Sequence, residues 1–192
     1  MLPRTPAADR LLATASELFA KEGIRSIGID RILSTAGVAK ATLYQAFGSK
    51  EALVVAYLEQ RDVADRRAYR TQVAGLPDDG AARILAPFDL AEKAASHEHY
   101  VGCIYANALN EFPDPEQPIA AAVRHHREWV RAQWTEALEP REDAGRLAEA
   151  IQIVYDGALL GAKAAQSPQP IRLARSLVET MLRDAAVPLS RA

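Results

Sequence analysis

One stretch, IDRILSTAGVAKATLYQAFGSK from Ile29 to Lys50, constrains this chain more than any other. Ile29, Ile32, Leu33 and Ala36 follow the i, i+3, i+4, i+7 spacing of a helix with one apolar face. Gly37 stands where a left-handed residue can end that helix, because glycine carries no Cβ penalty there. Val38 is apolar and can pin the turn to a core. The pattern predicts a second short helix from about Ala39 to Phe47, with Leu43 and Phe47 pointing inward. The side opposite Leu43 is centred on Ala41 and Gln45 and flanked by Thr42 and Tyr44. That face carries no acid. It offers small residues for close approach, with amide and hydroxyl groups for phosphates and base edges, as a helix entering a major groove requires. Short helices around a glycine turn also occur in all-α proteins that never meet DNA. Leu43 and Phe47 are core residues on either reading.

The charge distribution agrees with a nucleic-acid partner for this end of the chain. Residues 1–50 carry Arg4, Arg10, Lys21, Arg25, Arg31, Lys40 and Lys50 against Asp9, Glu17, Glu22 and Asp30, a net of +3. The whole 192-residue chain is at −2, which leaves −5 for the remainder. A basic head on an acidic body directs the head at a polyanion. The 49% apolar and 25% charged content is that of a globular protein with ample material for a core. Cys103 is the single cysteine, which rules out an intrachain disulfide and suits a reducing compartment. No charged-then-apolar leader pattern opens the sequence, and no apolar run approaches the roughly 18 residues that span a bilayer. The expectation is a cytoplasmic protein with no membrane partner.

The residues from Gly23 onward, and AGVAKATLYQAFGSKEAL (Ala36 to Leu53) above all, resemble the TetR family of bacterial transcriptional regulators, whose usual string is close to AGVSKGTLYxxFxSKExL. The resemblance is dense over about a quarter of the chain. It implies that Thr42, Tyr44 and Lys50 hold phosphates, and that Lys40, Ala41 and Gln45 lie near or on base edges. It implies contact of Arg4 with the minor groove or backbone, where a frayed, solvated end is the plain alternative. Ala39 replaces a frequent serine, Ala41 a frequent glycine, and Ile27 and Gly28 stand where threonines are common. These departures remove a phosphate contact and a helix cap from the family pattern.

Further along, Thr5-Pro6 reads as an N-cap with proline at the first helical position. The support helix that follows has Leu11, Leu12, Ala15, Leu18 and Phe19 on one face and ends at Gly23. Ser49 caps a helix from Lys50 to about Ala74, with Glu51 at its positive end. Leu76-Pro77-Asp78-Asp79-Gly80 is a turn. A helix over 81–95 is expected to kink or split at Pro87. Helices are expected over 100–112, 119–138, 144–165 and 171–185, separated by proline-rich breaks, and no strand pattern occurs. The whole reads as all-α and TetR-like. A three-helix helix-turn-helix DNA-binding domain spans 1–48, and a helical effector-binding and dimerisation domain spans 49–192, with 49–74 as connector.

The body offers no nucleophile–base motif and no glycine-rich phosphate loop, so no catalytic residue is assigned. His97-x-His99 and His125-His126, with Cys103 and Glu111 between them, suggest a metal. Adjacent histidines on a helix diverge by about 100°, however, and rarely share an ion. No metal and no cofactor are expected. The family implies a pocket among the middle helices, and Phe88, Cys103, Tyr105, Asn107, His126, Trp129, Trp134 and Tyr155 are its candidate lining. This aromatic set with few charges suits a small, mostly apolar effector. Trp129 flanks the apolar face of its helix. The family also implies a homodimer through the last two helices, and periodicity nominates Ile151, Val154, Ala158, Ala162, Leu177 and Met181. A two-fold dimer has a further reason, since one short helix makes few base contacts and two read two half-sites. The function expected is an operator-binding, ligand-responsive regulator. The alternatives are a small-molecule-binding protein of the same fold without an operator, and an α-helical enzyme using the histidine-rich body.

Overall fold

A computed structural model describes residues 4–77, 79–98 and 100–185. Among them the chain forms helices and no strand. They are α1 (Pro6–Glu22), α2 (Ile29–Ala36), α3 (Lys40–Ala46), α4 (Lys50–Val73), α5 (Gly80–Ala95), α6 (Ile104–Glu111), α7 (Pro118–Leu138), α8 (Ala144–Ala165) and α9 (Gln169–Ala185). The residues pack as two compact units. The first holds the chain up to Ala64 together with Cys103–His126, and the second holds Asp65–Gly102 with the chain from Arg127 onward. Helices α4 and α7 contribute residues to both.

The first unit is built on one core. Leu11, Leu12, Ala15 and Phe19 of α1 meet Ile32 and Leu33 of α2, Leu43 of α3 and Leu53, Val54 and Tyr57 of α4. Tyr105 and Ala108 of α6 and Ile119 and Val123 of α7 belong to the same core. The caps read from sequence are present. The Thr5 hydroxyl accepts from the Ala8 N–H at 3.3 Å with Pro6 beside it, and the Ser49 hydroxyl accepts from the Ala52 N–H at 3.0 Å. Gly28 and Ala39, which begin α2 and α3, make no side-chain capping hydrogen bond.

In the second unit α8 and α9 lie against each other. Gly161 allows close approach there, since a Cβ on it would come within 3.1 Å of the Pro170 ring. Phe88, Trp134 and Ile151 are fully buried. Of the kink or split expected at Pro87, the split does not occur: α5 is one element with Pro87 inside it. A proline frees the carbonyl four residues before it. Here that carbonyl, of Arg83, lies 3.5 Å from the Tyr69 hydroxyl, and the next one, of Ile84, accepts from the Trp134 indole N–H at 3.0 Å. The Tyr69 hydroxyl of α4 thus stands at the carbonyl that Pro87 frees. The helix expected from Tyr100 begins later, at Ile104, because Gly102 takes φ +81° and a Cβ there would meet the Lys163 side chain at 2.8 Å.

Gly80, the first residue of α5, is a test of this packing. A Cβ on it would sit 2.4 Å from the Ala137 carbonyl oxygen of α7, a main-chain atom that cannot rotate away. Gly80→Ala is expected to destabilise the protein by about 1–3 kcal/mol, as overpacking does, seen as a lower denaturation midpoint in urea. An unchanged midpoint would show that the two chain segments part freely.

Candidate nucleic-acid interface

The turn between α2 and α3 is set by Gly37, which takes φ 63° and ψ 39° and donates to the Leu33 and Ser34 carbonyls. The Val38 N–H reaches the Leu33 carbonyl at 3.2 Å, and the Val38 side chain packs on the core. Leu43 is fully buried and fixes the roll of α3. Lys40, Ala41 and Gln45 are then exposed, Thr42 is half-buried, and the Tyr44 ring is 48% exposed. A large aromatic side chain held in water on a seven-residue helix with no acid is poor packing economy, and good preparation for a partner. The sequence-predicted face of α3 is therefore assembled on one side of the helix.

Lys50 sits differently from a free surface cation. Its Nζ donates to the Ile24 carbonyl at 2.8 Å and lies 5.9 Å from the centre of the Phe19 ring. Burial pushes its pKa below the ordinary lysine value, opposed by the Glu51 and Glu111 carboxylates. An ammonium has three donors, so a phosphate can still be met with Ile24 occupied. Arg4 stacks its guanidinium 5.6 Å from the Phe47 ring centre at the end of α3.

Two groups bear on this site that the sequence did not single out. Arg31 on the exposed side of α2 makes a two-pronged pair with Glu22, both contacts at 2.7 Å. The hydrogen bonds hold the Glu22 carboxyl below its usual range and raise the guanidinium. Glu111 at the end of α6 accepts from the Ile24 N–H at 3.1 Å and from the Arg25 N–H at 2.5 Å. The Arg31 pair has a sequence signal, opposite charges flanking a helix junction. The Glu111 contact has none, since main-chain amides look alike in any sequence.

Comparison with known proteins settles what this head belongs to. The family model for bacterial regulatory proteins of the tetR family matches residues 11–57, the span from α1 into α4. The HTH-type transcriptional repressor NemR of Escherichia coli K12 is 30% identical over 193 residues, covering 93% of this chain and 95% of its own. The chain belongs to the TetR family. The transcriptional regulator AcuR of Cereibacter sphaeroides is 31% identical, with 86% of this chain and 80% of that one covered. The crystal structure of a TetR-family transcriptional regulator from Streptomyces coelicolor superposes with a TM-score of 0.85 at 33% identity, over 93% of this chain and 95% of that one. As a TetR-family protein the chain is a helix-turn-helix, DNA-binding transcriptional regulator, and its relatives are regulators and not enzymes. No helix among the described residues is long and apolar enough to cross a membrane.

The candidate effector residues of this TetR-family body fall into two sets. Cys103, Tyr105, Asn107 and His126 lie in the first unit, and Phe88, Trp129, Trp134 and Tyr155 in the second. In the first, His126 Nδ1 is 2.8 Å from Asp62 Oδ1, and the Tyr105 ring stacks on the imidazole at 3.6 Å between centres. In the second, Phe88, Trp134 and Tyr155 form one aromatic cluster with centres 5.0–6.3 Å apart. Trp129 meets Tyr69 edge-on at 5.5 Å and Arg66 at 4.9 Å. Among the described residues no group of three or more His, Cys, Asp and Glu is placed to hold a metal; His99 lies outside them.

The candidate dimer residues differ in exposure. Ile151, Ala158 and Ala162 are buried in the second unit's own core, and Val154 and Met181 are half-buried. Of the six, only Leu177 is exposed, at 50%. Ile153 (67%), Leu160 (67%) and Leu173 (73%) of the same two helices are also exposed. Helix α8 is apolar on two faces. Periodicity selects the fuller one, which the subunit uses for itself.

Proposed function

We propose that the protein is a homodimeric repressor whose two α3 helices enter successive major grooves of a near-palindromic operator, and which a small, mostly apolar effector releases. The observation that carries this reading is the outward face of α3, with Lys40, Ala41, Tyr44 and Gln45 in solvent around the buried Leu43. Thr42, Tyr44 and Lys50 hold the backbone, with Lys40 near the bases. Gln45 pairs with an adenine in bidentate fashion, at about 1–3 kcal/mol of discrimination. The division of labour follows, with residues 1–48 reading DNA and 49–192 sensing and pairing. The repressor NemR supports the sign of regulation. The exposed leucines of α8 and α9 support the dimer. An effector that favours a wider spacing of the heads lowers operator affinity by that preference. Residence in the cytoplasm, beside the genome, completes the proposal.

The test is selection of bound fragments from genomic DNA at physiological salt, with Tyr44→Ala in parallel. A single two-fold motif that the variant fails to enrich is the expected result. No motif, or the same motif from both proteins, would remove α3 as the reading element and leave a small-molecule-binding protein without an operator.

A further inference from the structure

The peptide group between Ile24 and Arg25 is held from two sides. Its N–H, of Arg25, donates to Glu111 of α6, and its carbonyl, of Ile24, accepts from the Lys50 ammonium of α4. The other carboxylate oxygen of Glu111 takes the Ile24 N–H, so two successive amides converge on one anion, as in a backbone nest. Gly23 leads the chain into this turn at φ +86°, a conformation that residues with a side chain rarely adopt. The neighbouring Phe112 ring receives the Arg25 guanidinium at 5.2 Å. An 87-residue separation in sequence is thereby closed onto the turn between α1 and α2.

We propose that Glu111 is a positioning residue for DNA binding, acting through the peptide group between Ile24 and Arg25 to hold Lys50 where it meets a backbone phosphate. The chain of hydrogen bonds runs from carboxylate to amide, from carbonyl to ammonium, and from ammonium to phosphate. Each bond polarises the next. The charge of Glu111 also favours the ammonium form of Lys50, which burial disfavours. Any movement of α6 is then felt as a change in one phosphate contact per subunit. The inference rests on the reading of Lys50 as a phosphate ligand.

The experiment is a double-mutant cycle of Glu111→Ala and Lys50→Ala on the full-length protein, with a synthetic duplex bearing the motif recovered by the selection above. Operator affinity is followed against salt, because the slope of log affinity on log salt counts phosphate contacts at about 0.9 each. Lys50→Ala is expected to lower the slope by about 0.9 per subunit. Glu111→Ala is expected to lower it in the same direction and to weaken binding about tenfold at physiological salt. The double variant should match Lys50→Ala. Glu111→Gln, which keeps one acceptor oxygen without the charge, serves where the alanine variant folds poorly and should lose slope as well. A merely structural Glu111 would shift the melting temperature and leave the slope at its wild-type value; that result, or additive losses in the double variant, overturns the proposal. A Lys50→Ala slope equal to wild type overturns it too, and separately removes Lys50 from the phosphate ligands.

Discussion

Leu160→Asp combined with Leu173→Asp is expected to leave the protein monomeric and to weaken operator binding by a factor on the order of 10³. Both side chains are largely exposed, along with Ile153 and Leu177, on the outward faces of α8 and α9. Large aliphatic residues gathered on neighbouring helices mark an interaction surface more often than a free one. In a two-fold contact every substitution appears twice. Two leucines changed therefore remove four buried side chains, at about 1.5–3 kcal/mol each. That total, roughly 6–12 kcal/mol, brackets the roughly 8.2 kcal/mol of a micromolar dimer. A lone head keeps one half-site and loses the rest of its affinity. Size-exclusion chromatography with light scattering measures the first effect, and titration of the operator duplex the second. A variant that stays dimeric would place the contact elsewhere. Ile151→Asp provides the contrast: because Ile151 is fully buried in the subunit, its replacement should unfold the protein before it separates two copies.

Trp134→Ala should cost about 3–5 kcal/mol from the lost ring alone. The indole is fully buried, 6.3 Å from the Phe88 ring centre and 5.6 Å from that of Tyr155. Its N–H also holds the Ile84 carbonyl at 3.0 Å. Losing that hydrogen bond adds about 0.5–1.5 kcal/mol, which brings the total toward the lower end of the stability of an ordinary domain, about 5–15 kcal/mol. Urea denaturation at a fixed protomer concentration reads the loss, since a dimer's midpoint depends on concentration. Trp134→Phe keeps an aromatic ring and drops the donor, so it should show mainly the smaller component. A loss below about 1 kcal/mol for the alanine variant would make Trp134 a cavity wall and not a core residue.

What the sequence revealed was what neighbouring residues decide among themselves. The Thr5-Pro6 start of α1, the Gly37 turn and the burial of Leu43 depend on a few adjacent positions, and all three are where the pattern put them. The outward set on α3 follows from the 3.6-residue period once Leu43 is fixed. Most of the dimer candidates are covered within the subunit because α8 offers two apolar faces, and only packing against α9 shows which the subunit itself buries. Pro87 does not split α5 for a related reason: its cost to the helix is local, whereas the hydroxyl at the freed Arg83 carbonyl comes from Tyr69 on another helix. Lys50 was legible as a cation at the right place, but its bond to Ile24 was not.

The ties that end on main chain have a bearing on how such a protein can change over generations. Trp134 grips the carbonyl of residue 84 and Glu111 the amides of residues 24 and 25, whatever side chains those residues bear. A bond of that kind survives substitution of its recipient by any amino acid that keeps the helix or turn, proline aside where an amide is needed. The side chains of both units can therefore drift over generations while the struts that keep their helices in register stay where they are.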